Sequence, residues 1–172
     1  MGITGKKAVV LVEDGYQDLE VWYPLLRLRE AGAKVVSVGP EKRLYKGKNG
    51  YPIEVDAGIA EIKAEETDAV VIPGGWAPDR LRRDKRIVEF VKRVFEQKKV
   101  VSSICHGGSL LVSAGILKGK EATSFEAIRD DMTYAGAKWV DQEVVVDGNL
   151  VTSRKPDDLP AFCRETIKLL SK

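Results

Sequence analysis

The sequence predicts an α/β protein with a mainly parallel sheet covered by helices on both faces, a three-layer sandwich. Short apolar segments alternate along the chain with amphipathic helical patterns, as in strand–helix–strand units joined by right-handed crossovers. The first strand-forming segment, Ala8–Val12, is apolar throughout, which is typical of a strand buried on both faces. Another strand-forming segment ends at Cys105 and is followed at once by glycines, a pattern that predicts a cysteine nucleophile elbow, a tight strand-to-helix turn.

The first half of the chain predicts three strands, one long helix and an excursion from the sheet. The strands are Ala8–Val12, Lys34–Val38 and Ala69–Ile72. Asp18 is the expected N-cap of a helix that ends near Gly32. The apolar positions of this helix, which we expect to face inward, are Leu19, Val21, Trp22, Leu25, Leu26 and Leu28. Glycines and a proline between positions 43 and 55 indicate a hairpin or an irregular loop.

The second half predicts the rest of the sandwich. In chain order its elements are a helix over Ile87–Phe95, a strand over Val100–Ile104, a helix from the glycines after Cys105 to Gly115, a helix over Ala127–Ala135, a hairpin of Glu143–Val146 and Leu150–Thr152, and a helix from about Asp157 to Leu170. The Asp-Gly pair at 147–148 is a hairpin-turn signal. No repeat or linker divides the chain, so residues 1–172 are expected to form a single domain.

Composition narrows the class of protein. The chain has 28 basic and 26 acidic residues and a net charge of +2, so no strong field predicts a nucleic-acid partner. The basic stretch from Arg80 to Arg86 fits a solvated loop and first helical turn, with subunit contact or substrate capture as alternatives. Two cysteines far apart predict no disulfide framework. No signal peptide or membrane-length apolar run is recognised, and we therefore expect a cytoplasmic protein.

The carboxyl ends of three strands carry glycine or polar residues. These segments are Glu13–Gly15 after the first strand, Pro73–Gly75 after the third and Cys105 after the fourth. Open parallel sheets bind ligands beyond the carboxyl ends of their strands. We therefore expect the three segments to come together in one site.

Cys105 is the strongest candidate for a catalytic residue. It precedes Gly107 and Gly108, which lack the side chains that would crowd a sharp turn. A thiol at the start of a helix is activated by the positive end of that helix. The alternative is a buried cysteine that acts as a small apolar residue. Cys163, by contrast, lies at helical spacing among apolar residues and is expected in the core.

His106 is the only histidine of the chain. An imidazole base would have to be this residue, provided that the turn lets the ring reach the thiol; the alternative is a polar residue at a helix start. One histidine and two cysteines are too few ligands for a zinc site, and no phosphate-binding glycine motif is present. We therefore expect neither a metal nor a cofactor.

Two further groups complete the expected site. Glu20 either complements the dipole at the start of its helix or points inward beside the thiol, where burial would raise the pKa of its carboxyl group. The residues alone leave both possibilities open. Gly74 and Gly75 offer backbone N–H groups for half of an oxyanion hole, and the amide of His106 would supply the other half.

The sequence resembles the PfpI-type intracellular protease group of the Parkinson-associated deglycase superfamily over nearly its whole length. The elbow and the Pro-Gly-Gly turn are specific to the superfamily, and the central and C-terminal segments are typical of the PfpI branch. The matching segments are Asp18-Leu19-Glu20, Tyr23-Pro24, Gly47–Tyr51, Ile72–Gly75, Ala77-Pro78, Ser103–Gly107, Ser113–Gly115, Thr123-Ser124, Asp130-Asp131, Val144–Asn149 and Thr152–Arg154.

The resemblance implies a flavodoxin-like domain of the class I glutamine amidotransferase type. It implies that Cys105 is the nucleophile, His106 its partner and Glu20 the buried acid that hydrogen-bonds the thiolate. Gly75 and the His106 amide would form the oxyanion hole. Asp79 would be catalytic across a subunit interface, since archaeal relatives have a glutamate there, one methylene longer, that reaches the histidine of a neighbouring subunit. A homo-oligomer, either a dimer or a hexamer, is therefore expected.

The resemblance limits the chemistry without choosing one reaction. Members of this group are cysteine peptidases, cofactor-free glyoxalases that convert methylglyoxal to lactate, or deglycases that remove early glycation adducts; others are stress chaperones or redox sensors. A compact site suits a small carbonyl compound at least as well as a peptide. We therefore predict a thiol-dependent, cofactor-free, stress-protective hydrolase of reactive carbonyls or glycated groups. The alternatives are a cysteine peptidase and a non-catalytic redox sensor or chaperone in which Cys105 is oxidised.

Overall fold

A computed structural model describes residues 2–172, which form a seven-stranded sheet, two small two-stranded sheets and flanking helices. The strands are β1 (Lys7–Leu11), β2 (Lys34–Gly39), β3 (Leu44–Lys46), β4 (Pro52–Glu54), β5 (Ala57–Gly58), β6 (Ala69–Ile72), β7 (Val100–Ile104), β8 (Glu121–Ala122), β9 (Lys138–Trp139), β10 (Val144–Asp147) and β11 (Leu150–Ser153). The helices are α1 (Asp18–Glu30), α2 (Ala77–Leu81), α3 (Lys85–Glu96), α4 (Gly108–Ala114), α5 (Arg129–Tyr134) and α6 (Leu159–Leu170).

The large sheet confirms the predicted α/β fold. Its strand order is β10-β11-β7-β6-β1-β2-β5, and all neighbours are parallel except β10 and β11. Helices α1 and α6 pack together on one face, and α2, α3 and α5 contact α4 on the other. Because β1 lies between β2 and β6, the strand order reverses at β1. Its carboxyl end is therefore at the kind of switch point where open α/β sheets bind ligands.

The core follows from the apolar strands. Every residue of β6 and β7 is buried, as are all residues of β1 except the first. These side chains form one continuous hydrophobic cluster with the inner faces of the helices. Burial of apolar surface stabilises the fold by about 25 cal/mol per Å², and it holds the carboxyl ends of the central strands in fixed positions.

The start of α1 differs from the prediction. Gln17, rather than Asp18, is the N-cap, and its side-chain oxygen accepts a hydrogen bond from the N–H of Leu19 at 2.7 Å. Asp18 instead accepts hydrogen bonds from the turn after β3, at 3.1 Å from the N–H of Asn49 and 3.2 Å from that of Tyr51. The Asp18 carboxylate therefore fixes this turn to the helix.

Two apolar side chains of α1 do not face inward as predicted. Leu19 and Leu26 are more than half exposed, because the helix packs on the sheet through Val21, Leu25 and Leu28. Apolar residues occupy both faces of this helix, so their periodicity alone does not identify the inner face.

The two predicted hairpins are present. One is formed by β3 and β4, outside the large sheet, and the other by β10 and β11 at its edge. The helix predicted over Ala127–Ala135 is a 3₁₀ turn at Glu126–Ile128 followed by α5, and α6 is likewise preceded by a 3₁₀ turn at Pro156–Asp158. No helix within residues 2–172 is long and apolar enough to cross a membrane.

Candidate active site

The predicted strand ends meet at one edge of the sheet. After β1, the carbonyl of Gly15 accepts a hydrogen bond from the N–H of Trp76 at 2.8 Å. Tyr16 forms an isolated antiparallel bridge with Gly75. These contacts fix the segment after β6 against the segment that leads into α1, and β7 delivers Cys105 next to both.

Cys105 lies on the sharp turn that the sequence predicts. Its φ angle is +61°, in the left-handed region that costs a non-glycine residue roughly 1–2 kcal/mol. The N–H of Phe125 donates to the Cys105 carbonyl at 3.2 Å and helps to hold the turn. Gly107 leaves no room for a side chain, since a Cβ there would lie 2.7 Å from the Ser103 hydroxyl and 2.8 Å from the Ile72 carbonyl. Such strain is concentrated at functional sites.

Glu20 points inward, which the sequence had left open. Its side chain is fully buried, and Oε2 accepts a hydrogen bond from the N–H of Gly74 at 2.6 Å. A Cβ at position 74 would lie 2.6 Å from this oxygen and 2.9 Å from Cys105 Sγ. The carboxyl group and the sulfur therefore face each other across the space that a larger residue would fill. The other oxygen, Oε1, has no hydrogen-bond partner within the described residues.

Glu20 and Cys105 form a coupled acid. Burial raises the pKa of Glu20 to about 7, against the opposing effects of hydrogen bonds from the Gly74 N–H and the Cys105 thiol and of the Lys48 charge. Burial, and then the negative charge of Glu20, raise the pKa of the Cys105 thiol to about 12. Between these two values the pair holds one proton, and its titration belongs to the pair rather than to either residue. The thiolate forms when that proton is on Glu20.

The predicted effect of backbone N–H groups on Cys105 has the expected sign, but burial outweighs it. Residues Cys105–Gly107 form a single 3₁₀ turn, and α4 begins only at Gly108. Burial outweighs the backbone N–H groups that favour the thiolate, so the pKa of the thiol lies above its ordinary value rather than below it. Ionisation of the thiol therefore depends on Glu20 as the proton acceptor.

His106 reaches the thiol because the turn is sharp. Its Nδ1 lies 3.4 Å from Cys105 Sγ, and its ring stacks on Phe125 with the ring centroids 4.9 Å apart. Burial, and then the charge of Lys48, lower the pKa of His106. The ring is therefore neutral near pH 7, the form in which an imidazole accepts a proton.

The backbone N–H groups of Gly75 and His106 lie beside the Cys105 sulfur. Both backbone N–H groups act on the Cys105 sulfur in the direction that favours the thiolate. Gly75 has a φ angle of +70°, and a Cβ there would lie 2.5 Å from the Gly15 carbonyl oxygen, so only glycine fits. The two donors lie beside the atom to which a carbonyl carbon would bond.

Two openings lead to this cluster. The first, here called the thiol cavity, has a volume of about 200 Å³ and is lined by Gln17, Lys48, Gly75, Trp76, Cys105, His106, Phe125, Lys155 and Pro156. The second, here called the outer cleft, has a volume of about 510 Å³ and is lined by Gly75, Trp76, Pro78, Asp79, Arg80, Arg83, His106 and Ser109.

Asp79 lies apart from the cluster around the thiol. Its side chain is two-thirds exposed on α2 and forms an ion pair with Arg83 one turn later. It shares the outer cleft with His106. The chain thus brings Cys105, His106 and Glu20 together and leaves Asp79 at the surface.

Sequence reasoning missed several residues of the thiol cavity, among them Lys48, Phe125 and Lys155. Lys155 follows the carboxyl end of β11, so the strand-end rule used for the other segments would have found it. Phe125 follows the short strand β8, which was not predicted. Lys48 lies in the turn between β3 and β4, outside the large sheet; the segment Gly47–Tyr51 carries part of the family resemblance, but the resemblance implied no role for this lysine.

Comparison with known proteins agrees with this geometry. Residues 6–169 match the DJ-1/PfpI family. The chain belongs to the DJ-1/PfpI family. It is 48% identical over 164 residues to a deglycase of Thermococcus kodakarensis, a match that covers 95% of this chain and 99% of the relative. It is 44% identical over 168 residues to protein/nucleic acid deglycase 2 of Escherichia coli, covering 96% and 98%.

A solved structure gives the same result for the fold. A two-domain protein of Anabaena variabilis with DJ-1/ThiJ/PfpI-like and ferritin-like domains matches with a TM-score of 0.94 and 44% identity. The match covers 96% of this chain and 48% of that protein, so this chain spans about half the length of that protein. The predicted family and the flavodoxin-like fold are therefore confirmed.

Proposed function

We propose that the protein is a cytoplasmic, stress-protective deglycase and glyoxalase that uses Cys105 and no cofactor. Its substrates are reactive carbonyl compounds and the early adducts that these form with thiols and amines. The observation that carries the proposal is that the buried Glu20 carboxyl group lies beside Cys105. Cys105 in turn lines a cavity of about 200 Å³. Family membership and the names of the relatives support it.

In the proposed reaction the Cys105 thiolate adds to the aldehyde carbon of methylglyoxal while Glu20 holds the proton that the thiol has lost. The N–H groups of Gly75 and His106 stabilise the oxyanion, which is protonated to give a hemithioacetal. His106 or Glu20 then moves a proton from the former aldehyde carbon to its neighbour. The resulting thioester is hydrolysed, so that methylglyoxal and one water become lactate and a proton.

The size of the thiol cavity favours a small substrate. Sites for drug-sized ligands have volumes of roughly 300–1,000 Å³, and the thiol cavity is smaller at about 200 Å³. A cysteine peptidase is the second candidate, because the outer cleft, at about 510 Å³, adjoins the thiol cavity at Gly75, Trp76 and His106 and has room for a peptide side chain.

We also propose, from the family resemblance, a homo-oligomer in which Asp79 of one subunit approaches the histidine of another. Two features support this. Asp79 is exposed, and it borders the same cleft as His106. Its role would be to orient the imidazole.

The test is formation of lactate from methylglyoxal, with release of N-acetylcysteine from its methylglyoxal adduct. Cys105→Ala should lower turnover by at least about 10³-fold. The matched control Cys163→Ala, which removes the other buried thiol, should stay within about twofold. A fluorogenic peptide is assayed in parallel. Turnover of the peptide alone would replace the proposal with a peptidase, and turnover of neither substrate would favour a redox sensor or chaperone.

A further inference from the structure

The thiol cavity has a charge pattern that the proposed reaction does not require. Its nine lining residues include two lysines, Lys48 and Lys155, and no carboxylate. We propose that these lysines select substrates that carry an anionic group, a carboxylate or a phosphate, close to the reacting carbonyl. The inference rests on the proposed function and narrows its substrates from reactive carbonyls in general to negatively charged ones.

Lys48 is held at the site by its backbone. Its N–H donates to the Tyr16 carbonyl at 2.8 Å, and the Asp18 carboxylate fixes the same turn through the N–H of Tyr51. A larger residue at position 47 would displace the Asp18 carboxylate, because a Cβ there would lie 2.5 Å from its carboxyl carbon. Within residues 2–172 the Lys48 ammonium group forms no salt bridge, unlike eight other lysines.

Lys155 comes from a different part of the fold, the segment after β11. The preceding residue, Arg154, is held by ion pairs to Asp158 at 2.9 Å and Asp141 at 2.8 Å. The Lys155 carbonyl also accepts the N–H of Asp158 at 2.9 Å. The ammonium group has one distant partner, Asp157, at 4.0 Å. An ion pair this exposed contributes little, so the charge of Lys155 is available to a ligand.

The positive charge of Lys48 reaches the reacting groups. It lowers the pKa of the Glu20 carboxyl group and of the His106 ring, so it favours the carboxylate and the neutral imidazole. A field of this sign also favours an anionic ligand. Charges of one sign around a cavity with low-dielectric walls act more strongly than the same charges in open solvent.

The two neighbouring openings differ from the thiol cavity in that carboxylates line them. The outer cleft contains two arginines, Arg80 and Arg83, but also the Asp79 carboxylate, which pairs with Arg83. A third cavity, of about 230 Å³, contains Glu126 and Asp141 as well as Arg154 and Lys155, so its charges balance. Of the three openings, the one that contains the nucleophile is therefore the one with lysines and no carboxylate in its lining, and the Glu20–Cys105 pair supplies one negative charge beside it.

Two thiol reagents that differ in charge test the proposal without requiring turnover. Iodoacetate and iodoacetamide each form a carbon–sulfur bond with the thiolate and release iodide. Both rates are proportional to the fraction of thiolate, so this fraction cancels from their ratio. Modification of Cys105 is followed by mass spectrometry of its peptide, which separates it from Cys163. At low salt we expect the ratio of the iodoacetate rate to the iodoacetamide rate to be about tenfold higher for Cys105 than for the free thiol N-acetylcysteinamide.

Variants assign the preference to the lysines. Lys48→Gln and Lys155→Gln should each reduce it several-fold, and the double variant should match the free thiol, whereas Lys48→Arg should retain it. Lys46→Gln is the matched control, because it removes the same charge from the same hairpin outside the cavity. Salt at about 0.5 M should weaken the preference by screening. No preference in the wild type, or one that survives in the double variant, would overturn the proposal.

Turnover then separates carboxylate from phosphate. The methylglyoxal adduct of N-acetylcysteine is compared with that of N-acetylcysteinamide, and the adduct of guanosine monophosphate with that of guanosine. A several-fold higher kcat/KM for the charged member, lost in the double variant, supports the proposal for that anion. Equal turnover of charged and neutral members in both pairs would overturn the inference and leave the proposed function intact. If no adduct is turned over, the proposed function fails and the alkylation ratio alone decides the inference.

Discussion

Cys105 and Cys163 are both buried, and burial raises the pKa of each thiol to about 12. Their surroundings differ completely. Cys163 lies on α6 within the apolar core, where the Arg27 charge is the one other influence on its pKa. Cys105 lies on a strained turn beside the Glu20 carboxyl group and borders the thiol cavity.

This difference shows what makes a thiol a nucleophile in this fold. Burial alone does not distinguish the two cysteines, because it is the largest cause of a raised pKa at both. A buried partner that takes the proton, two N–H groups that favour the anion and an opening to solvent do distinguish them. Each of these features can be removed separately.

The largest effect should come from removing the proton acceptor. Glu20→Gln keeps the size of the side chain and an acceptor for the Gly74 N–H, but it takes no proton. We expect kcat/KM for methylglyoxal to fall by about 10²–10⁴-fold. In the wild type the rate at which iodoacetamide modifies Cys105 should rise with pH through about 7, as the pair loses the first of its two protons. In the variant this rise should move to higher pH by about one unit or more.

Stability gives an independent check of the same variant. The pKa of Glu20 is raised from 4.5 to about 7 in the folded protein, so the wild type loses stability as the pH rises through this interval. With about 1.4 kcal/mol for each pKa unit, Glu20→Gln should be more stable than the wild type by up to about 3 kcal/mol at pH 8 and no more stable at pH 4. Urea denaturation at both pH values measures this, and a pH-independent difference would contradict a protonated, buried Glu20.

The backbone conformation also differs between the two cysteines, and we expect this difference to have an effect of intermediate size on the stability of variants. Cys105 has a φ angle of +61°, whereas Cys163 lies inside a regular helix. At position 105 the glycine variant should be more stable than the alanine variant by about 1 kcal/mol, since glycine has no penalty in the left-handed region. At position 163 alanine should be the more stable by about 1 kcal/mol, because glycine is a poor helix former. Urea denaturation of the four variants decides the signs, and alanine favoured at both positions would mean that Cys105 is not strained.

The sheet and the elbow could be predicted because local patterns encode them. Strands β6 and β7 begin and end at the predicted residues, since β6 is a continuous apolar run, β7 has β-branched apolar residues at both ends, and turn residues follow each strand. The turn at Cys105 is marked by Gly107 and Gly108. The convergence of the strand ends then follows from the rule for parallel sheets.

The rest depends on contacts between distant segments. Whether Glu20 points inward is decided by how α1 packs on the sheet, and α1 has apolar residues on both faces. Asp18 was predicted as the cap because aspartate is a preferred capping residue, but a turn about thirty residues away occupies its carboxylate. The raised pKa of Cys105 comes from burial and from Glu20, which a rule about helix ends does not include.

The smallest effect should come from the one predicted site residue that lies away from the thiol. Within the described chain Asp79 pairs with Arg83 at the surface, where its charge is screened by solvent and salt. We expect Asp79→Asn to lower kcat/KM by less than about tenfold and to change the free energy of unfolding by less than about 0.5 kcal/mol. Sedimentation velocity at micromolar concentration should show a homo-oligomer for both proteins.

The kcat/KM of Asp79→Asn and the oligomeric state together show whether a second subunit contributes to the surroundings of Cys105. A wild-type monomer would leave Asp79 with no neighbouring histidine to orient, and the site would then consist of Cys105, His106 and Glu20 in one chain. An oligomer in which Asp79→Asn lost more than about a hundredfold in kcat/KM would contradict the expected minor role. The environment that separates Cys105 from Cys163 would then include a second subunit, and Asp79 would matter as much as the buried carboxyl group of Glu20.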